Sequence, residues 1–410
     1  MKRRIFYALA GLAAVSAGFA LWSRTGRRPP TDPIDLHLVE AQSLGADHGA
    51  GNLVGIQPYM LASDYASEER FHRKIDGYLA AARAKGYFGK KTIVVLPEHL
   101  GTWLVVAGEK RAVYGAKSID RAAKVMIASN LVRFLRWGGR TNASGARRTL
   151  FNMKGEEMAD IYQRVFSSLA RTYYLTIVAG SIVLPQPVPG VDGMQSGTGR
   201  IVNVSPIYGP EGQLSGIVEK QFLTDDEKRF LGTSGGVYGS PVFDTPAGRL
   251  GVLVCADSWY PAAYAGLKKR QAEIVVVPSF LSTGARNAWD RTWFGYQGEA
   301  PSDVDRRDVQ RLTEGEAWAK HGLPGRIRAS SARAGMTVFL RGRLWDLTSD
   351  GPACAVVDGK LYQAPRVDGA TLERMAVNKE HGIGECKGEG RSRAVRDRRA
   401  GPKEARGHHD

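Results

Sequence analysis

Leu250-Gly-Val-Leu-Val-Cys-Ala-Asp-Ser-Trp-Tyr-Pro261 changes character at its sixth residue. Through Val254 the run is apolar without interruption, the composition of a strand covered on both faces. From Ala256 onward it turns polar, and a helix is expected over about 260–271. Cys255 thus stands where a buried strand gives way to the turn that opens a helix. That position exposes a thiol at the carboxyl edge of a sheet, and the amides of Ala256 and Asp257 can face a developing oxyanion there. Most lone cysteines are small core residues. A useful nucleophile needs a base or a positive field as well, so the neighbours must decide.

Working outward, buried strands alternate with amphipathic helices. Asn52-Leu-Val-Gly-Ile-Gln-Pro58 and Lys91-Thr-Ile-Val-Val-Leu-Pro97 are short apolar runs ended by proline. Between them, Phe71, Ile75, Tyr78, Leu79 and Ala82 recur at helical spacing over 68–85. Helices are expected at 118–136 and 155–171. Strands follow at 174–179 and 181–184, and two more (200–208 and 216–223) are joined by a hairpin-like turn. Ala272-Glu-Ile-Val-Val-Val-Pro278 is a further buried strand. The alternation predicts an α/β domain with helix-covered sheets.

Two other residues share the position of Cys255. Glu98 follows the strand ending at Pro97, and Lys220 closes a third strand. Taken singly, a Glu after Pro is ordinarily a helix-start residue and a strand-end Lys a solvated edge charge. A carboxylate, an ammonium and a thiol at three strand ends suit amide chemistry as base, oxyanion stabiliser and nucleophile.

Together these residues resemble the nitrilase, or carbon–nitrogen hydrolase, superfamily over roughly 50–350. Its motifs occur in order: Pro97-Glu98; Asn203, Pro206, Gly209, Gly212 and Lys220; then Gly251-Val252, Cys255, Asp257 and Pro261. Ala272–Ser279 is similar to the strand that follows the family's cysteine. The resemblance implies a four-layer αββα sandwich and a Glu98–Lys220–Cys255 triad. In it, Glu98 takes the thiol proton and later activates water, and Lys220, with the Ala256 amide, stabilises the tetrahedral intermediate. Glu227 matches the family's second acidic residue and would orient Lys220; Asp225 and Asp226 are equally well read as a helix cap. Nitrile-cleaving members usually carry Trp-Glu after the cysteine. Ala256-Asp257 here favours amides. A homo-oligomer is also implied by the resemblance, as is a small-molecule amide substrate; neither a cofactor nor a metal is expected.

The stretch from Glu98 to Lys220 is long for the family, so 108–198 should hold an insertion that shapes the pocket. The aromatic segment 282–316 (Trp289, Trp293, Phe294, Tyr296) reads equally as a substrate wall or as packing under a loop. Arg333 resembles a structural helix element of the family, and His99 and His321 default to structural histidines. The leading function is amide hydrolysis through a Cys255 thioester. Acyl transfer to an amine and a non-catalytic membrane-tethered module are the alternatives.

The chain has 410 residues and a formal net charge of +16. Much of the excess lies between Lys2 and Arg28 and in the tail after Val377. No basic ladder interleaved with aromatics occurs, so nucleic acid is not an expected partner. Three cysteines without metal spacing give no signature of a disulfide framework or zinc site. Residues 5–22 are uncharged, long enough to cross a bilayer of roughly 30 Å hydrocarbon thickness, and lie between Lys2-Arg-Arg4 and Arg24, Arg27 and Arg28. We expect residues 1–28 to form a single-pass anchor with the domain outside the cytoplasm, or else a cleaved signal of a secreted or periplasmic protein. A linker at 29–50, a hydrolase domain at 51–365 and a disordered basic tail at 378–410 complete the expected organisation.

Overall fold

The computed structural model describes residues 2–377 apart from 46–48, 139–142, 192, 235–240 and 283–286. The tail expected at 378–410 lies outside the described residues.

Two sheets are stacked. The first has eight strands, in the order Leu38–Leu44, Ala370–Ala376, Asn52–Gln57, Thr92–Val95, Thr176–Val178, Ile201–Tyr208 and Leu214–Glu219, with Ile182–Pro185 also paired to Ile201–Tyr208. The second has six: Val242–Thr245, Gly248–Val252, Ile274–Ser279, Ala334–Phe339, Cys354–Val357 and Lys360–Gln363. Period-two alternation of the first sheet's apolar strands divides their side chains between two cores. Leu53, Ile93 and Val95 face inward against Leu250, Val252, Ile274 and Met336 of the second sheet. Val54, Ile56 and Val94 face outward, under the helices Glu68–Ala84 and Ala143–Tyr173. The helix Pro261–Lys269 covers the outer face of the second sheet through Ala263, Tyr264 and Leu267. The result is the αββα sandwich expected. The sheets approach closely at Gly55, where an added Cβ would lie 2.7 Å from Met336 Sδ.

Helix Glu68–Ala84 starts where the sequence directs it. The Ser67 side chain accepts a hydrogen bond from Arg70 N at 3.2 Å, and Phe71, Ile75, Tyr78, Leu79 and Ala82 form its buried stripe.

Four expectations are revised. The helix at 118–136 is two, Ile119–Ser129 and Leu131–Arg136. Asn130 breaks it, with non-helical φ −120° and a side chain that donates to Glu109 Oε2 at 2.9 Å. Within the linker span 29–50, Leu38–Leu44 is a strand, paired in parallel with Ala370–Ala376. Its mixed exposure left no periodicity to read. The sheet therefore extends past residue 365 to Ala376. Arg333 immediately precedes the strand Ala334–Phe339 and is not in a helix.

Helix Lys2–Arg24 has no buried residue and a window of mean hydropathy 1.8. It is long and apolar enough to span a membrane or to serve as a signal sequence. Just beyond it, Arg27 is tied to the domain. Its guanidinium donates to Glu109 Oε2 at 3.0 Å, to Ser129 O at 3.1 Å and to Asn130 Oδ1 at 3.0 Å.

Candidate active site

Glu98 is held by a turn clamped from the neighbouring strand end. Leu96 N donates to Val178 O at 3.0 Å, Ser181 N to Pro97 O at 3.2 Å, and His99 N to Ser181 Oγ at 2.8 Å. Gly180 makes this possible: its φ is +76°, and a Cβ there would lie 2.1 Å from Pro97 O. The turn at His99 (φ 60°) then sends Glu98 inward, where it is 1% exposed.

Lys220 leaves its strand with its N–H donated to Asn203 O at 2.9 Å. Its ammonium lies 2.8 Å from Glu98 Oε1 and 2.8 Å from Glu227 Oε1. Glu98 Oε1 also accepts from Asn203 Nδ2 at 2.9 Å. Glu227 is aimed by a capping box at the start of Asp225–Lys228, its Oε2 accepting from Thr224 N at 2.9 Å and Thr224 Oγ1 at 3.1 Å. The N-cap residue is thus Thr224, not Asp225 or Asp226, and Glu227 both completes the cap and contacts Lys220.

Cys255 ends the apolar run in the left-handed region, φ 48°. That conformation is uncommon for a non-glycine residue and clusters at functional sites. Its Sγ is 3.7 Å from Phe280 O. Asp257 is buried. Its Oδ1 accepts from Gln221 N at 3.0 Å and Phe222 N at 2.8 Å, and its Oδ2 from Val254 N at 3.3 Å. Asp257 therefore staples the segment after Lys220 to the turn that carries Cys255.

The electrostatics follow from burial and neighbours. Burial alone would push Lys220 down, but the Glu227 and Glu98 carboxylates outweigh it and hold the ammonium well above the ordinary lysine value. Burial would raise Glu227, and Lys220 beside it brings its carboxyl below the usual range. Burial, then the Glu98 charge, push the Cys255 thiol well up. The thiol therefore favours its protonated form. Lys220 has three N–H donors, two of them engaged by the carboxylates; the third can serve an oxyanion.

His99, expected as a structural histidine, pairs its Nδ1 with Thr102 Oγ1 at 3.1 Å and also borders the cluster, which its sequence position alone does not reveal. Its Nε2 lies 4.0 Å from Glu98 Oε1 and 3.8 Å from Glu227 Oε1. Burial lowers its pKa, so the ring is neutral near pH 7. The ligand atoms of Glu98, His99 and Glu227 lie within 4.8 Å of one another. The Lys220 ammonium already bridges the two carboxylates and supplies the positive charge a cation would bring. His321 is a structural histidine, its Nε2 2.8 Å from Asp308 Oδ2.

Glu98, Lys220, Glu227, Cys255 and Ala256 all line one cavity of about 560 Å³. The 108–198 region contributes Ile119, Ala122, Met126 and Phe151 to its wall. In the 282–316 segment, Trp293 and Tyr296 line the cavity, while Trp289 packs against Phe339.

Residues 56–296 match the carbon–nitrogen hydrolase family, and the chain belongs to it. It is 29% identical over 128 residues to a probable nitrilase of Schizosaccharomyces pombe. That match takes in 31% of this chain and 42% of the relative, so less than half of the relative's length is spanned. An amidase from Nesterenkonia sp. AN1, solved after Michael addition of acrylamide at its active site cysteine, superposes with a TM-score of 0.50. It is 14% identical, with 80% of this chain and 93% of that one covered. A carbon–nitrogen hydrolase from Helicobacter pylori G27 gives 0.49 at 16% identity, covering 79% and 88%.

Proposed function

We propose that this protein hydrolyses amide bonds through a thioester on Cys255. The observation that carries the reading is the buried Glu98–Lys220–Glu227 cluster lining the same cavity as the Cys255 thiol. Oε1 of Glu98 is occupied by Lys220 and Asn203, which leaves Oε2 to accept the thiol proton as sulfur attacks the amide carbon. Lys220 and the Ala256 amide stabilise the oxyanion. The carbon–nitrogen bond then breaks, and Glu98 returns its proton to the departing nitrogen as a neutral amine or ammonia. Glu98 next takes a proton from water, whose oxygen attacks the thioester and frees the acid and the thiol. Glu227 positions Lys220, and Asp257 positions the two backbone segments. The Lys2–Arg24 helix anchors the domain to a membrane.

The test is mass spectrometry after incubation with an amide library. An acyl adduct on Cys255 is expected, together with loss of turnover in Cys255→Ala and Cys255→Ser; undiminished turnover in either variant would sink the nucleophile assignment. Added amines separate hydrolysis from acyl transfer, because an acyltransferase loses its adduct to amine faster than to water.

A further inference from the structure

The cavity is much larger than the scissile group requires. Its 560 Å³ falls within the range that accommodates a drug-sized ligand, whereas an amide group with its two neighbouring carbons needs only a small fraction of that. One side of the surplus space is apolar. Ala122, Met126, Leu150, Phe151 and Phe230 wall it beyond the catalytic cluster. Ala122, Met126, Leu150 and Phe151 are all buried. Charged groups also border the space: Arg147, Asp226 and Arg229 are exposed, and Glu314 is half-buried.

The wall has a second property. Ala122 and Met126 sit on the helix Ile119–Ser129, which packs against the apolar Lys2–Arg24 helix. The Arg27 clamp on Ser129 and Asn130 fixes this junction. The next helix, Leu131–Arg136, together with Trp137, leaves Leu131, Val132, Leu135 and Trp137 between 40% and 60% exposed. Arg133 and Arg136 alternate with them, also exposed. Apolar side chains and a tryptophan mixed with arginines, directly beside an apolar helix of membrane-spanning length, form a surface suited to the interface of an anionic bilayer.

We infer that the amide cleaved at Cys255 carries a long hydrocarbon chain, which lies in the Ala122–Met126–Phe151 arm and enters from the bilayer face formed by Leu131, Leu135 and Trp137. The inference rests on the amidase reading for the bond that is cut, but the size and polarity of the arm bear on binding independently of turnover. A chain leaving lipid for this arm exchanges one apolar surrounding for another while its amide reaches Cys255. A water-soluble short amide leaves most of the arm unfilled.

The experiment uses full-length Cys255→Ala protein in detergent micelles and straight-chain primary amides of two to twelve carbons. Affinity is read from the fluorescence of the tryptophans that line the cavity, Trp103, Trp259, Trp293, Trp318 and Trp345. Affinity corrected for micelle partitioning should tighten by up to roughly three- to fourfold per methylene until the arm is full. Affinity that is flat or falls with length overturns the inference, even where short amides are hydrolysed. Absence of turnover with chain-dependent binding intact would instead count against the amidase reading alone. For the entry face, unaltered and Leu135→Asp/Trp137→Asp enzymes are compared in proteoliposomes containing phosphatidylglycerol and dodecanamide. Turnover, or binding in the matching Cys255→Ala forms, should drop at least fivefold in vesicles and stay level in micelles. Equal behaviour in vesicles removes the bilayer-side entry.

Discussion

Lys220 Nζ stands 2.8 Å from Oε1 of Glu98, a residue 122 positions earlier in the chain, and both side chains are almost wholly shielded from water. Two charges brought inside a protein cost several kcal/mol each in lost hydration, and only their contact and additional hydrogen bonds offset that cost. Asn203 on Glu98 and Glu227 on Lys220 supply those bonds. Glu98 therefore depends on Lys220 for its charge to be tolerated here, whereas Lys220 keeps Glu227 as a second partner.

Replacing the ammonium should be a stability event before it is a catalytic one. Lys220→Met leaves two buried carboxylates facing each other, and we expect a loss of about 3–5 kcal/mol in urea unfolding. Lys220→Arg should not restore activity, because a planar fork cannot reproduce a point charge 2.8 Å from both carboxylates.

Glu98→Gln separates the two roles. The amide oxygen can still accept from Lys220 and Asn203, so folding should survive, but no group remains to take the thiol proton. Turnover should fall by about 10²–10⁴-fold, with circular dichroism unchanged. A decrease under tenfold would remove Glu98 as the base.

Gly180→Ala tests the clamp behind Glu98. A methyl group would be forced to 2.1 Å from Pro97 O at a left-handed φ of +76°. The left-handed conformation alone costs roughly 1–2 kcal/mol, and relief of the clash must displace the Pro97–Glu98 turn. Melting temperature and turnover should fall together.

Stability should also depend on pH in a defined sense. Burial raises Asp257 from 3.8, and Glu314 and Glu373 from 4.5, in each case to about 7. The native state therefore holds protons that the unfolded chain has released. Its contribution from these groups is fully present below the unfolded values and is lost as pH rises through about 7. The melting temperature should decline between about pH 4 and pH 7, and Asp257→Asn should flatten part of that slope. A melting temperature that climbs across this window would contradict the protonation assigned to these groups.

Much of this fold is written locally. The buried strands announce themselves because they are apolar on both faces, and Glu68–Ala84 because Phe71, Ile75 and Leu79 follow a helical period. Leu38–Leu44 did not, since its pairing partner Ala370–Ala376 lies at the other end of the domain and its own residues are half exposed. The three strand-end residues at the site were legible from their shared position. His99 was not, because its significance lies in its approach to Glu227, more than a hundred residues away in sequence. Asp257 was legible as a motif residue, but its backbone partners, Gln221 and Phe222, come from another strand end and leave no local pattern.

The Leu38–Leu44 strand also governs how the domain can be cut. It covers one side of Ala370–Ala376. A soluble fragment begun at residue 51 would strip that cover and present a row of unpaired N–H and C=O groups, an invitation to edge-to-edge association. Trimming that stops at Arg24 would keep Ala370–Ala376 paired on both sides and spare the Arg27 clamp, so the difference between a monodisperse protein and an aggregating one lies within some twenty-six residues.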